Sequence, residues 1–109
     1  MKRFDSNFSL SICIPVYNWD VTKLVTELHR QAENAQFNVE ILVFDDKSEI
    51  EFRNINSSIS SLESVSYKEL EKNVGRSKIR NALVEAAKSQ YVLLMDCDAE
   101  VTSCDFIEK

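Results

Sequence analysis

Val39-Glu40-Ile41-Leu42-Val43-Phe44-Asp45-Asp46 is an apolar, β-branched run that stops at two adjacent acids. Its length and composition predict a buried strand, and the acids mark where it leaves the core. Two other stretches have the same form. Leu10-Ser11-Ile12-Cys13-Ile14-Pro15-Val16 is apolar and ends at Tyr17-Asn18, and Tyr91-Val92-Leu93-Leu94-Met95 ends at Asp96-Cys97-Asp98. Val65 to Leu70 is a more polar strand suited to a sheet edge.

Helical patterns separate these strands. Val21, Leu24, Val25, Leu28 and Ala32 recur at i, i+3, i+4 and i+7, the mark of an amphipathic helix, with Asn18 or Asp20 able to cap its start. Ile50, Ile55, Ile59 and Leu62 suggest a second helix, weakened by Ser57, Ser58, Ser60 and Ser61. After Gly75, the residues Ile79, Ala82, Leu83, Ala86 and Ala87 form the apolar face of a third. The order β-α-β-α-β-α-β predicts an α/β fold, an open and mostly parallel sheet flanked by helices. Residues 1–109 read as a single domain.

Composition removes several classes. The chain has 109 residues, 44% of them hydrophobic and 28% charged, with one glycine and one proline, so disordered or Pro-rich tracts are not expected. A net charge of −5 disfavours nucleic acid as a partner. Met1 to Asp5 lacks the apolar core of a signal peptide, and no run is long enough to span a membrane. Cys13, Cys97 and Cys104 contain no C-x-x-C pair, so reduced thiols and a cytoplasmic location are expected.

Ligands of open parallel sheets bind beyond the carboxyl ends of the strands. Tyr17-Asn18, Asp45-Asp46 and Asp96-x-Asp98 must therefore share one rim. Asp96 and Asp98 offer hard oxygen donors suited to Mg²⁺ or Mn²⁺, and the soft Cys97 between them does not. A carboxylate of the Asp45-Asp46 pair can accept from a nucleobase N–H or a ribose hydroxyl; equally, Asp46 or Ser48 can cap the next helix. Arg76, Lys78 and Arg80 begin a helix where an anion is favoured. His29 is placed on the solvent face, and Trp19 is read as a rim or packing residue.

These stretches, with Asn73-Val74-Gly75-Arg76 and Arg80-Asn81-Ala82, resemble in order and spacing the N-terminal half of a family 2 glycosyltransferase with the GT-A fold. The resemblance covers nearly the whole chain. It implies an inverting transfer of sugar from a nucleotide-diphospho-sugar donor, often UDP-linked, with a divalent metal. Pro15, Val16, Tyr17 and Asn18 would then line the nucleoside pocket. Asp46 would bond the base, and Arg76 would approach base or phosphates. Asp96 would contact ribose or sugar, and Asp98 would ligate the metal, with Asp96 beside it. Asp45 belongs to the same donor-binding set.

The sequence departs from the family pattern at Lys47, which replaces a usual glycine. A requirement for φ > 0 there would strain it. Ala99-Glu100 is a variant of the acids that often follow. The acceptor half, with its general base, is expected beyond Lys109, so this chain is expected to bind donor weakly and not to transfer sugar. A sheet ending at the fourth strand leaves an edge on which self-association is possible. Two other readings compete. Ile41 to Asp46 and Leu93 to Asp96 resemble the opening and phosphoacceptor strands of a receiver-type phosphorylation module, and a non-catalytic α/β interaction domain would keep the same elements.

Overall fold

The computed structural model describes residues 9–99. The elements alternate as expected: β1 (Ser9–Val16), α1 (Thr22–Glu33), β2 (Asn38–Asp45), α2 (Ile50–Asn56), a 3₁₀ turn (Ser57–Ser61), β3 (Val65–Glu69), α3 (Arg76–Ala86) and β4 (Tyr91–Leu94). The four strands form one sheet in the order β3-β2-β1-β4, and every pairing is parallel. β3 is an edge strand, as its polarity predicts. β4 forms the other edge among the described residues. Cys104 and Glu100 lie outside the described residues.

The crossovers explain the layering. Two right-handed units carry the chain outward from β1 to β2 to β3, and α1 covers that side. The third crossover runs back over the sheet to β4, so α3 covers the opposite side. Strand alternation sorts the side chains accordingly. Ile12, Ile14, Val16, Ile41 and Val43 pack with Val25 and Leu28 of α1. Cys13, Leu42 and Phe44 pack with Ile79 and Leu83 of α3. Leu28 and Leu83 are wholly buried, each worth roughly 2–3 kcal/mol in apolar area removed from water.

A receiver-type topology would set the acid-pair strand beside the phosphoacceptor strand. Here β1 lies between β2 and β4, which removes that reading.

The predicted second helix is cut short. After Asn56 the chain tightens into a 3₁₀ turn. Each of Ser57, Ser58, Ser60 and Ser61 turns its hydroxyl back onto the carbonyl three residues earlier. Such local bonds compete with a continuing α-helix. His29 also departs from expectation. It is partly buried, and its Nε2 is shielded with no hydrogen-bond partner among the described residues. At 100° per residue His29 flanks the apolar stripe beside the buried Val25 and Ala32, its i−4 and i+3 neighbours, and does not stand opposite it.

The amino end of the sheet is closed by polar bonds. Ser11 donates to Glu40, whose carboxylate also accepts from the Lys88 backbone at 2.8 Å, and Gln90 N–H donates to Ser9 Oγ at 2.8 Å. Burial, reinforced by Glu40, pushes the Cys13 thiol up to about 11, so it stays protonated and serves as core.

Candidate functional site

The same alternation that sorts the core also separates the two acids after β2. Asp45 continues the face that carries Ile41 and Val43, toward α1 and α2. It is fully buried and accepts both the Ser48 N–H (2.8 Å) and the Ser48 hydroxyl (2.5 Å). Asp46 turns to the α3 side. Its two oxygens accept the Val74 N–H at 2.8 Å and the Gly75 N–H at 3.0 Å, and its carbonyl accepts from Asn73 Nδ2 at 2.9 Å. Neither Asp46 nor Ser48 caps α2, whose N-cap is Glu49.

Gly75 opens α3 at φ +89° and ψ 163°, a region only glycine occupies readily. A Cβ would meet nothing within 4 Å, so the requirement is conformational and not steric. Lys47 adopts φ +64°, which realises the strain expected where a glycine is usual. The left-handed conformation costs a side-chain-bearing residue about 1–2 kcal/mol, part of which glycine's larger unfolded-state entropy cancels. Lys47→Gly is therefore expected to raise stability by about 0.5–1 kcal/mol, a rise of about 2–8 °C in Tm. A thermal melt with no rise would refute the strain.

The β1–α1 loop is tied to the β2–α2 loop. Asn18, at φ +49°, donates its N–H to Ser48 Oγ at 2.8 Å and accepts the Glu49 N–H on Oδ1 at 2.8 Å. Asp20, not Asn18, serves the start of α1: its Oδ1 accepts from Thr22 N at 2.9 Å and Thr22 Oγ1 at 2.6 Å. These bonds hold its carboxyl below the ordinary value.

At the end of β4, Asp96 lies on the α3 side, in phase with Leu94. Its Oδ1 meets Arg76 Nη2 at 3.0 Å. Both side chains are mostly exposed, 70% for Arg76 and 65% for Asp96, so the pair contributes only about 0–1 kcal/mol and can be exchanged cheaply. Cys97 turns back toward the core, and burial pushes its thiol up, against a lowering hydrogen bond from the Tyr17 backbone.

Together these groups enclose a cavity of about 440 Å³ beyond the carboxyl ends of the strands. Of the candidate site residues, Pro15, Val16, Tyr17, Asp46, Arg76, Asp96 and Asp98 line it. Asn18 and Asp45 do not. Their polar atoms are turned into the loop bonds just described: Asp45 keeps the strand phase that points away from α3, and Asn18, beyond the end of β1, is held at φ +49° against Ser48 and Glu49. Asn73 and Ile79, which the sequence places beside Gly75 and on the apolar face of α3 with no site role, also line the cavity. Their signal lay in the segment around Gly75, where the chain must approach the strand ends before entering α3. Lys78 and Arg80 are not among the lining residues.

Among the described residues no group of three His, Cys, Asp or Glu side chains stands ready to hold a metal. Asp96 and Asp98 nevertheless bring two hard oxygen donors to one cavity wall. Mg²⁺ and Mn²⁺ commonly take one or two carboxylates and complete their shell with water and phosphate oxygens, so the donor set fits such an ion. No helix among the described residues is long and apolar enough to cross a membrane.

Comparison with curated proteins finds no match. Solved structures do match. S. aureus TarS 1–349 in complex with UDP-GlcNAc is 27% identical, with a TM-score of 0.70, over 83% of this chain and 26% of that one. S. aureus TarS is likewise 27% identical, with a TM-score of 0.68, over 83% of this chain and 16% of its own length. The mannosyltransferase PcManGT from Pyrobaculum calidifontis, in complex with GDP-Man and Mn²⁺, shares the fold at 17% identity and a TM-score of 0.71, over 90% of this chain and 30% of that one. The chain thus spans less than a third of each of these structures, and its parallel sheet with flanking helices is of their GT-A type. The model of glycosyl transferase family 2 matches residues 11–109, and the chain belongs to that family.

Proposed function

We propose that these residues form the donor-binding region of an inverting glycosyltransferase that uses a nucleotide-diphospho-sugar, most simply a UDP-linked one. The observation that carries the reading is the single cavity on which Tyr17, Asp46, Arg76, Asp96 and Asp98 converge. The solved relative that holds UDP-GlcNAc supports it at 27% identity.

Each side chain has a role in this proposal. Tyr17 offers an aromatic face to the base. Asp46 keeps lone pairs beyond the two backbone N–H bonds it accepts, and a carboxylate with about four acceptor sites can also take a uracil N–H. Arg76 exchanges its weak pair with Asp96 for the donor diphosphate, which accepts charge-assisted bonds from guanidinium. Asp96, released, accepts from ribose or sugar hydroxyls. Asp98, with Asp96, would hold the divalent metal, whose chemistry is neutralisation of the leaving diphosphate. No described residue is assigned to activating the acceptor hydroxyl, a job that needs a base within hydrogen-bond reach of it. A cytoplasmic setting belongs to the same proposal, since Cys13 and Cys97 are both free thiols.

Thermal melting tests the reading. At a dissociation constant of about 100 µM, UDP at about 1 mM with Mn²⁺ stabilises by roughly 1.4 kcal/mol. The expected rise in Tm is on the order of 5–10 °C, without release of sugar product from UDP-sugars by the purified 109-residue chain. Absence of any shift with nucleoside diphosphates would overturn the donor-binding role.

A further inference from the structure

Trp19 is the only tryptophan of the chain and stands 47% exposed on the β1–α1 loop. Its backbone is held firmly. The fully buried Asn56 grips the loop on both sides of Asp20: Nδ2 donates to the Trp19 carbonyl at 2.7 Å, and Oδ1 accepts the Val21 N–H at 2.9 Å. A buried amide therefore holds the backbone that carries a large, half-exposed aromatic ring.

The ring stands where two cavities meet. Trp19, Cys97 and Asp98 line the donor cavity. They also line a second, of about 700 Å³, which continues along α1 past Asp20, Thr26 and Glu27. Asp46, Asn73 and Arg76 belong to the first cavity alone. A path from the nucleoside-facing groups to the second cavity must then pass Asp98 and Trp19. In a nucleotide-diphospho-sugar the sugar follows the diphosphate, so the group that reaches this junction is the sugar ring. A pyranose has an apolar C–H face and a rim of hydroxyls. The indole supplies a flat apolar surface, and Asp20, Thr26 and Glu27 supply hydrogen-bonding groups around it.

We propose that Trp19 is the platform on which a pyranose ring stacks, in the first instance the sugar of the donor. The proposal rests on the donor-cavity reading above. The indole, being unique in the chain, reports on its own occupancy through its emission. UDP, UDP-N-acetylglucosamine and UDP-glucose are titrated in Mn²⁺ buffer, alongside the methyl glycosides of the same sugars, by tryptophan emission and by calorimetry.

The expected result is that at least one UDP-sugar binds about three- to tenfold tighter than UDP and perturbs the emission more strongly, the gain of one aromatic contact. Trp19→Ala brings the ratio of UDP-sugar to UDP affinity close to one by calorimetry, and Trp19→Phe restores part of it. Binding of a methyl glycoside that does not compete with the UDP-sugar, and that Trp19→Ala abolishes, assigns the platform to an acceptor sugar and still upholds it. A Trp19→Ala chain that binds UDP while its preference for sugars matches the parent overturns the platform alone. So does a parent chain that binds UDP but no sugar more tightly. Failure of UDP itself to bind removes the donor cavity and the platform with it.

Discussion

Asp46→Asn is expected to lower stability by about 3 kcal/mol and to remove the nucleotide-dependent stabilisation with it. The carboxylate is 5% exposed and accepts two backbone N–H groups, one on each oxygen. Hydrogen bonds to a charged group are worth about 1.5–3 kcal/mol each. An amide of the same shape keeps one acceptor oxygen and sets an NH₂ against the other N–H. One bond weakens and one shielded donor loses its partner, for a combined cost of roughly 2–4 kcal/mol. For a domain of this size that is a fall in Tm on the order of 10–20 °C. The loop released is the one that aims Arg76 at the cavity, so UDP should no longer raise the melting point of whatever folded protein remains. A variant melting within about 2 °C of the parent would show that Asp46 does not anchor the loop.

Asn56→Ala should have a cost of similar size by a different route. The side chain is fully buried and bridges the Trp19 carbonyl and the Val21 N–H. Truncation leaves the buried Val21 N–H and the part-buried Trp19 carbonyl unmet and opens a small void. An expected loss of about 2–4 kcal/mol follows, readable by denaturant unfolding as a lower midpoint at unchanged slope. A second readout is local. With its clamp removed, the Trp19 loop loosens, and acrylamide should quench the indole more efficiently in the folded variant than in the parent. Unchanged quenching together with unchanged stability would contradict the clamp.

Much of this architecture is legible in the chain because strand length and helical spacing are strong signals. Leu10 to Val16 and Val39 to Asp46 can hardly be anything but buried strands, and Val21 to Ala32 repeats with helical period. Seven of the nine residues expected at the cavity line it. The two that do not, Asn18 and Asp45, turn their polar atoms to loop bonds with Ser48 and Glu49. Alternation was visible in the sequence, but which face would carry α3 depended on the order in which strands pair. The second helix ends earlier than its spacing predicts because serine hydroxyls act locally, turning back on carbonyls three residues earlier. Helical spacing of Ile55, Ile59 and Leu62 does not register that competition. Trp19 is legible only as a rim or packing residue, because the amide that holds its backbone comes from 37 positions along the chain.

The tie between Asn18, Ser48 and Glu49 has a consequence for recombination among relatives. The first two loops of the rim share their hydrogen bonds, and the second is locked internally by Asp45. A chimera that takes residues 17–20 from one parent and 45–49 from another splits a single cassette and leaves mismatched halves. Among the described residues, the Asn73–Gly75 segment is bonded to this cassette through Asp46. It is the natural crossover point for exchanging one wall of the cavity while inheriting the other intact.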